Sequence, residues 1–156
     1  ERLELGLYKV PTVCEYVENF SSPFIIFSWH VEVGKKILEK MSQTHKCCLL
    51  QGGMNDAERA SIVADFQNGE IDILIANISA AGMGLTLTTA STVVFAELPF
   101  TYVELFQSLS RIHRIGQKEN CTVIKLCVKD SIDEVALRLI EKRKLLHENI
   151  TELPNV

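Results

Sequence analysis

Apolar residues along the chain follow two spacings, one typical of helices and one typical of buried strands. Helical spacing predicts helices over residues 8–20, 31–41, 55–67 and 131–147, and one that starts at 101 and carries two arginines. Short, continuously apolar runs predict strands over residues 24–29, 47–50, 71–75, 92–95 and 123–128. Strands of this kind that alternate with helices indicate an α/β domain, with a mainly parallel sheet covered by helices on both faces.

Local sequence signals mark several of these boundaries. Asn55 with Glu58 and Thr101 with Glu104 have the spacing of N-terminal capping boxes, and Ser131 opens the helix predicted over 131–147 in the same way. Residues 68–69, an Asn-Gly pair, predict the end of the helix that starts at 55. Pro11 is compatible with the first turn of the first helix.

Length and charge limit the functional classes. A chain of 156 residues with 47% hydrophobic residues is one globular domain. Its net charge of −4 argues against a protein that binds nucleic acid over its whole surface, so any DNA contact must be local. Two basic segments, 111–118 and 138–147, are candidates, and the alternative for each is the solvated face of a helix.

Cysteine and histidine usage indicates an intracellular protein without a metal site. The five cysteines include no C-x-x-C pair, and most lie in apolar runs, which indicates free thiols in a reducing compartment. The four histidines show no ligand spacing. There is no signal peptide and no apolar stretch of membrane-spanning length. Because the chain starts at Glu1, we expect an excised piece of a larger protein, with residues 1–7 and 150–156 as flanking tails.

A pair of arginines is the strongest candidate for chemistry. Arg111 follows Gln107 by four positions and Arg114 follows Arg111 by three, so on a helix all three side chains would share one face. A guanidinium group is a permanently charged planar fork that suits phosphate, and two of them suit a polyphosphate. The alternative is a solvated basic end of a helix.

The string around these arginines resembles a known motif. Residues 107–117, which end in His-Arg-Ile-Gly-Gln, are similar to motif VI of the SWI/SNF-type ATPases, the chromatin-remodelling and DNA-translocating branch of superfamily two helicases. The resemblance implies a RecA-like domain, with residues 1–156 as the second, C-terminal lobe. It further implies that Arg114 is an arginine finger for ATP bound between two lobes, that Arg111 supports it, and that Gln107 helps to fix the segment at the nucleotide.

Two earlier segments resemble blocks of the same family. Residues 24–29 are similar to motif IV, which implies DNA contacts by Ser28 and Trp29; the alternative is a core strand that ends in a polar turn. Residues 51–54 resemble the family's Gly-Ser/Thr segment, which implies a DNA contact at Gly53. Backbone N–H groups at the start of the following helix, near Asn55, could also bind phosphate.

Residues 78–87 resemble motif V. The family's chemistry uses small residues there because the backbone must approach phosphate closely, which Gly82 and Gly84 permit. The resemblance implies nucleotide contacts at these glycines and DNA contacts at Ser79 and Thr86; the alternative is a plain turn. Taken with residues 93–98, this sequence is most similar to that of the annealing-helicase subgroup, which rewinds DNA and remodels stalled forks.

Other parts of a complete ATPase are absent from this sequence. No Gly-x-x-x-x-Gly-Lys-Ser/Thr loop occurs, and the Asp133-Glu134 pair belongs to a helix start. The resemblance therefore implies that an N-terminal RecA-like lobe of the same polypeptide holds ATP and Mg²⁺, and that this lobe alone is inactive. The implied partners are double-stranded or forked DNA, or nucleosomes, without a membrane. The implied location is the nucleus in a eukaryote and the cytoplasm otherwise.

The sequence thus favours the second motor lobe of an ATP-dependent translocase on double-stranded DNA. Two alternatives stay open. One is a non-catalytic regulatory or DNA-docking module, because Met54, Ser79 and Ser110 differ from the family's usual residues. The other is a helicase that separates strands.

Overall fold

A five-stranded parallel sheet organises the domain. The computed structural model describes residues 1–81 and 84–151. Along the chain the elements are α1 (Arg2–Val17), β1 (Phe24–Ser28), α2 (Val31–Met41), β2 (Cys47–Leu50), α3 (Asp56–Gln67), β3 (Ile73–Asn77), α4 (Ile78–Ala81), β4 (Thr92–Phe95), α5 (Tyr102–Leu109), β5 (Thr122–Lys125) and α6 (Ile132–Thr151). The strand order is β2-β3-β1-β4-β5, and every neighbouring pair is parallel.

The central strand β1 separates two apolar cores. Ile25 and Phe27 point into a core completed by residues of α3, α5 and α6, whereas Phe24 and Ile26 point into a core completed by α1 and α2. The Phe27 ring stacks on that of Phe95 in β4, with centroids 5.1 Å apart. Complete burial of side chains of this size contributes about 1.5–3 kcal/mol each. The predicted parallel sheet with helices on both faces is confirmed.

Most predicted elements are present, with shifted ends. The helix predicted over 8–20 begins at Arg2 and ends at Val17, so Pro11 lies in its interior and not in its first turn. The proline leaves the Leu7 carbonyl without its helical donor. Leu7 is partly exposed, so water can satisfy that oxygen. The strand predicted over 71–75 runs from Ile73 to Asn77, and the short helix α4 was not predicted.

The predicted helix starts are present, although one differs in detail. Asn55 and Glu58 form the full reciprocal capping box. Thr101 accepts the Glu104 N–H, but its hydroxyl donates to the Glu104 carboxylate, so no reciprocal bond to the backbone is formed there. Ser131 Oγ accepts the Asp133 N–H at the start of α6.

The prediction that a single helix carries both arginines is wrong. Helix α5 ends at Leu109, and the chain continues in tight turns from 110 to 117. The Arg111 carbonyl accepts the Leu87 N–H at 2.9 Å instead of an N–H further along a helix. Ile112 is buried at 1% exposure, so the turn places an apolar side chain in the core that a continuous helix would direct elsewhere.

Candidate functional site

The residues predicted to bind DNA gather at one edge of the sheet. Strands β1, β2 and β3 are parallel, and each is followed directly by one of the predicted segments. Trp29 follows β1, Gly53 lies in the turn after β2, and Ser79 lies in α4 after β3. The crevice outside the carboxyl ends of parallel strands is where α/β domains usually bind ligands. The topology therefore brings these three positions to one edge.

The arginine segment is attached to the loop that precedes β4. The exposed Arg114 guanidinium donates to the Leu85 carbonyl at 3.1 Å and to Thr86 Oγ1 at 3.3 Å. The bond from Leu87 N–H to the Arg111 carbonyl joins the same two segments through their backbones. The structure thus brings Arg114 and Thr86 into contact, although they are 28 positions apart in sequence.

Arg111 differs from Arg114 in its surroundings. Its side chain is partly buried, and Nε has no hydrogen-bond partner within the described residues. A buried donor left unsatisfied costs about 1–3 kcal/mol. Because this atom is buried, a phosphate oxygen from outside would reach it only if the segment moved, so Nε does not by itself mark a ligand contact.

Two further nucleotide predictions fall in the described part of the chain. Gly84 has φ +76°, a backbone conformation that is strained for other residues, and a Cβ there would meet no atom of the described residues within 4 Å. Gln107 is exposed near the end of α5, and its carbonyl accepts the Ser110 hydroxyl. It does not share a helix with the arginines. Gly82 lies outside the described residues.

Gln117 is a structural anchor that the sequence did not assign. Its Nε2 donates to the carbonyls of Ala90 at 2.8 Å and Ile112 at 3.2 Å, and its Oε1 accepts the N–H groups of Lys118 and Glu119. These bonds hold the end of the arginine segment against the loop before β4. The glutamine in the His-Arg-Ile-Gly-Gln string could have indicated such a role.

The buried position of Ser28 disfavours its predicted DNA contact. The residue is fully buried, its Oγ has no hydrogen-bond partner among the described residues, and a Cβ at Gly34 would lie 2.9 Å from it. Because β1 is the central strand, its last side chain is covered by α2. This burial favours the alternative, a core strand that ends in a polar turn.

Trp29 is partly buried in an aromatic cluster. Its ring meets that of Phe100 edge-on, with centroids 6.3 Å apart. The Arg2 guanidinium lies 4.7 Å from the Trp29 ring centroid and 3.9 Å from that of Phe100, and it donates to the Leu98 carbonyl. Burial lowers the pKa of Arg2 from its usual value, while nearby carboxylates, first among them Glu97, oppose that shift. The first turn of α1 therefore supports this end of the sheet.

In the turn after β2, the backbone of Gly53 is a better candidate for a phosphate contact than the N-terminus of α3. Gly53 is exposed, with φ +83°, and a Cβ there would meet no atom within 4 Å. At the start of α3, however, Asn55 Oδ1 already accepts the Glu58 N–H, and the Glu58 carboxylate accepts the Asn55 N–H. Asp56 adds a second negative charge to that turn. A phosphate contact at Asn55 is therefore disfavoured.

Two buried polar residues at the same edge were missed by the sequence prediction. Asn77 and Glu97 are 3% and 2% exposed. Asn77 ends β3, and Glu97 follows β4 by two residues. Asn77 Nδ2 donates to the Trp29 carbonyl at 2.7 Å, and Glu97 Oε2 accepts the Trp29 N–H at 2.9 Å. A polar residue directly after a continuously apolar run was the available signal.

No metal centre is evident in the part of the chain that the structure describes. There, no three histidine, cysteine, aspartate or glutamate side chains are grouped so that they could hold a metal ion. All five cysteines are free thiols; Cys14 is buried and Cys127 is exposed. Over the described residues, every helix is too short or too polar to cross a bilayer.

Comparison with known proteins identifies the family of this chain. The family model described as "helicase conserved C-terminal domain" matches residues 8–116. The "SWI/SNF-related matrix-associated actin-dependent regulator of chromatin subfamily A-like protein 1 homolog" of Caenorhabditis elegans is 33% identical over 147 residues, which cover 88% of this chain and 21% of the relative. Human "DNA annealing helicase and endonuclease ZRANB3" is 28% identical over 146 residues, or 90% of this chain and 14% of the relative.

A solved structure supports the fold. The C-terminal part of the Fun30 ATPase domain superposes with a TM-score of 0.75 at 24% identity, covering 86% of this chain and 44% of that chain. The predicted RecA-like architecture is confirmed. The chain spans only about a fifth, or less, of the length of the two relatives described above. The chain belongs to the helicase conserved C-terminal domain family, and a relative named above, the Caenorhabditis elegans protein, is a SWI/SNF-related protein.

Proposed function

We propose that this chain is the second motor lobe of an ATP-dependent translocase on double-stranded DNA, of the annealing-helicase or chromatin-remodelling kind. The observation that carries the proposal is the exposed Arg114 guanidinium, which is hydrogen-bonded to Leu85 and Thr86 and so is aimed by the loop beside it. A permanently charged fork held at a domain surface suits a charge that develops on a ligand bound by another lobe.

In the proposed mechanism the two arginines act on the transferring phosphoryl group. Arg114 stabilises the negative charge that builds on the γ-phosphoryl oxygens, and Arg111 supports it with a second positive charge on the same segment. An arginine finger increases kcat by about 10³–10⁵, which corresponds to about 4–7 kcal/mol of the barrier. Gly84 lets the backbone approach the nucleotide, and Gln107 lies beside the same segment.

ATP is the substrate of this reaction, and the chain holds only half of its site. The sequence has no Gly-x-x-x-x-Gly-Lys-Ser/Thr loop to cradle the β- and γ-phosphates. The N-terminal RecA-like lobe of the same polypeptide would bind ATP and Mg²⁺, and the isolated lobe would be inactive. Closure of the two lobes would bring Arg114 to the γ-phosphoryl group.

DNA would be contacted at the edge formed by the turns after β1, β2 and β3. The proposed contacts are Trp29, Gly53, Ser79 and Thr86, with double-stranded or forked DNA, or a nucleosome, as the partner. With a net charge of −4, the chain depends on local contacts of this kind. Opening and closing of the two lobes would shift these DNA contacts along the duplex. In a eukaryote such a protein would act in the nucleus.

The full-length polypeptide tests the proposal by its DNA-stimulated ATPase activity. Arg114→Ala should lower kcat by about 10³-fold or more. Arg114→Lys should recover little, because lysine keeps the charge but loses the fork. Lys36→Ala, which removes an exposed cation on α2 outside both basic segments, is the control and should retain activity.

Three outcomes separate the candidate functions. Equal activity of the wild type and Arg114→Ala would remove the finger assignment. An inactive wild type would favour the non-catalytic DNA-docking module, which the unusual residues Met54, Ser79 and Ser110 allow. Displacement of a triplex-forming strand without unwinding of a duplex identifies a translocase, whereas duplex unwinding identifies a strand-separating helicase.

A further inference from the structure

The Trp29 peptide is held from both neighbouring strands. On one side Glu97 Oε2 accepts the Trp29 N–H at 2.9 Å, and on the other Asn77 Nδ2 donates to the Trp29 carbonyl at 2.7 Å. Glu97 follows β4 and Asn77 ends β3, and these strands flank β1. The turn after the central strand is therefore fixed by one side chain from each neighbour.

Glu97 also caps the helix that follows this turn. Its Oε2 accepts the His30 N–H at 2.9 Å, and its Oε1 lies 2.7 Å from His30 Nδ1. His30 is the N-cap residue of α2, and its own side chain makes no cap hydrogen bond. An anion at a helix N-terminus is favourable, and these bonds offset the cost of burying a carboxylate. The carboxylate thus takes the place of a local cap.

Asn77 links this turn to the next predicted DNA contact. Its Oδ1 accepts both the N–H of Ser79, at 3.1 Å, and the Ser79 hydroxyl. One amide therefore binds Trp29 through its nitrogen and Ser79 through its oxygen. The side chain is 3% exposed, so water cannot readily replace these bonds.

We propose that Asn77 and Glu97 are positioning residues that hold the Trp29–His30 turn and Ser79 in one fixed arrangement, so that duplex DNA meets both turns as a single preformed surface. Neither residue touches DNA, because both are buried. The inference rests on the DNA contacts of the proposed function. Its effect is on the affinity for DNA, since a preformed surface loses less conformational freedom on binding.

The test uses the full-length polypeptide and a blunt DNA duplex. Two quantities are measured: the DNA concentration that gives half-maximal ATPase activity, and kcat at saturating DNA. Glu97→Ala and Asn77→Ala should each raise the half-maximal DNA concentration by about tenfold, with kcat nearly unchanged. Glu97→Gln should retain most of the affinity, because its amide oxygen can still accept the two backbone N–H groups.

Asn77→Ser is the milder second variant. Its shorter side chain loses the bond to the Trp29 carbonyl without burying a charge, so it should weaken DNA binding with a smaller effect on folding. Glu39→Ala, an exposed carboxylate on α2, is the control for loss of charge. Amide hydrogen exchange of peptides that cover Trp29 and His30 should accelerate in Glu97→Ala and not in Glu39→Ala.

The outcomes distinguish this inference from the proposed function. If the wild type hydrolyses ATP with DNA and all the Asn77 and Glu97 variants keep its half-maximal DNA concentration, the positioning role is wrong and the motor function stands. A fall in kcat alone would also overturn it. If the wild type binds duplex DNA but does not hydrolyse ATP, the affinity of each variant for DNA is measured directly by fluorescence anisotropy. A wild type that binds no duplex DNA overturns both.

Discussion

The Lys9 ammonium nitrogen lies 2.8 Å from a carboxylate oxygen of Asp133, and the two side chains are only 6% and 7% exposed. The pair joins α1 to α6 across 124 positions of sequence. Lys9 also donates to the Leu126 carbonyl at 3.0 Å, and Asp133 accepts the Val128 N–H at 3.1 Å. Each buried charge thus has a second partner beside the end of β5.

Removal of one member of this pair should destabilise the domain. Lys9→Met leaves the Asp133 carboxylate buried without its cation, and we expect a loss of about 3–5 kcal/mol in the free energy of unfolding. Urea denaturation of the chain measures this. The double variant Lys9→Met/Asp133→Asn should recover most of the loss, since asparagine still accepts the Val128 N–H. Additive losses in the double variant would contradict the explanation.

Gly6 should not tolerate a methyl group. A Cβ there would lie 2.5 Å from Glu97 Oε1 and 2.8 Å from Val33 Cγ2. Gly6→Ala should therefore cost about 1–3 kcal/mol through overpacking, despite the better helix propensity of alanine. Thermal unfolding checks this. Gly52→Ala is the control, because a Cβ at that position meets nothing within 4 Å; equal effects of the two changes would refute the prediction.

Thr86 should contribute to activity through Arg114. Thr86→Val removes the Oγ1 that accepts from the guanidinium and keeps the side-chain volume, while the bond to Leu85 remains. We expect kcat of the full-length ATPase to fall by about fivefold, much less than for Arg114→Ala. Thr86→Ser should restore it. If Thr86→Ser is as impaired as Thr86→Val, the hydrogen bond does not account for the effect.

Cys47 should remain a poor nucleophile at moderately alkaline pH. Burial raises the pKa of its thiol to about 11. Only the thiolate reacts, so the rate of alkylation should rise about tenfold per pH unit from pH 7 to about pH 9.5 without levelling off. Peptide mass spectrometry of iodoacetamide adducts measures this rate. In urea the rate should level off above about pH 8.5, the ordinary thiol pKa.

Much of the fold could be predicted because each strand and helix carries its own periodic signal. In α2, for example, Val33, Ile37 and Met41 are buried on one face at helical spacing. The prediction that the segment with the arginines is helical failed for a physical reason. Its spacing also fits a helix, but the bond between Leu87 and Arg111 and the burial of Ile112 are tertiary interactions that local sequence does not reveal.

For the candidate site, the sequence predicted which residues to consider better than it predicted which of them touch each other. The resemblance to family motifs located Arg114 and Thr86 but did not indicate that they touch. Ser28 was placed at a strand end without regard to β1 being central and covered. Asn77 and Glu97 were missed because most of their partners are main-chain atoms, and a hydrogen bond to a backbone group does not depend on the partner's residue type.

Because all five strands are parallel, the proposed ligand contacts lie at the carboxyl ends of strands, and the edge at their amino ends has no proposed ligand contact. Gly69, in the turn between α3 and β3, lies on that edge with φ +81° and open space around it. Because a Cβ at Gly69 would meet no atom of the described residues within 4 Å, a cysteine introduced beside it could carry a spectroscopic probe once the five native cysteines are replaced. In the proposed motor, such a probe would report the distance to a second label on the other lobe from the side away from the proposed nucleotide and DNA contacts.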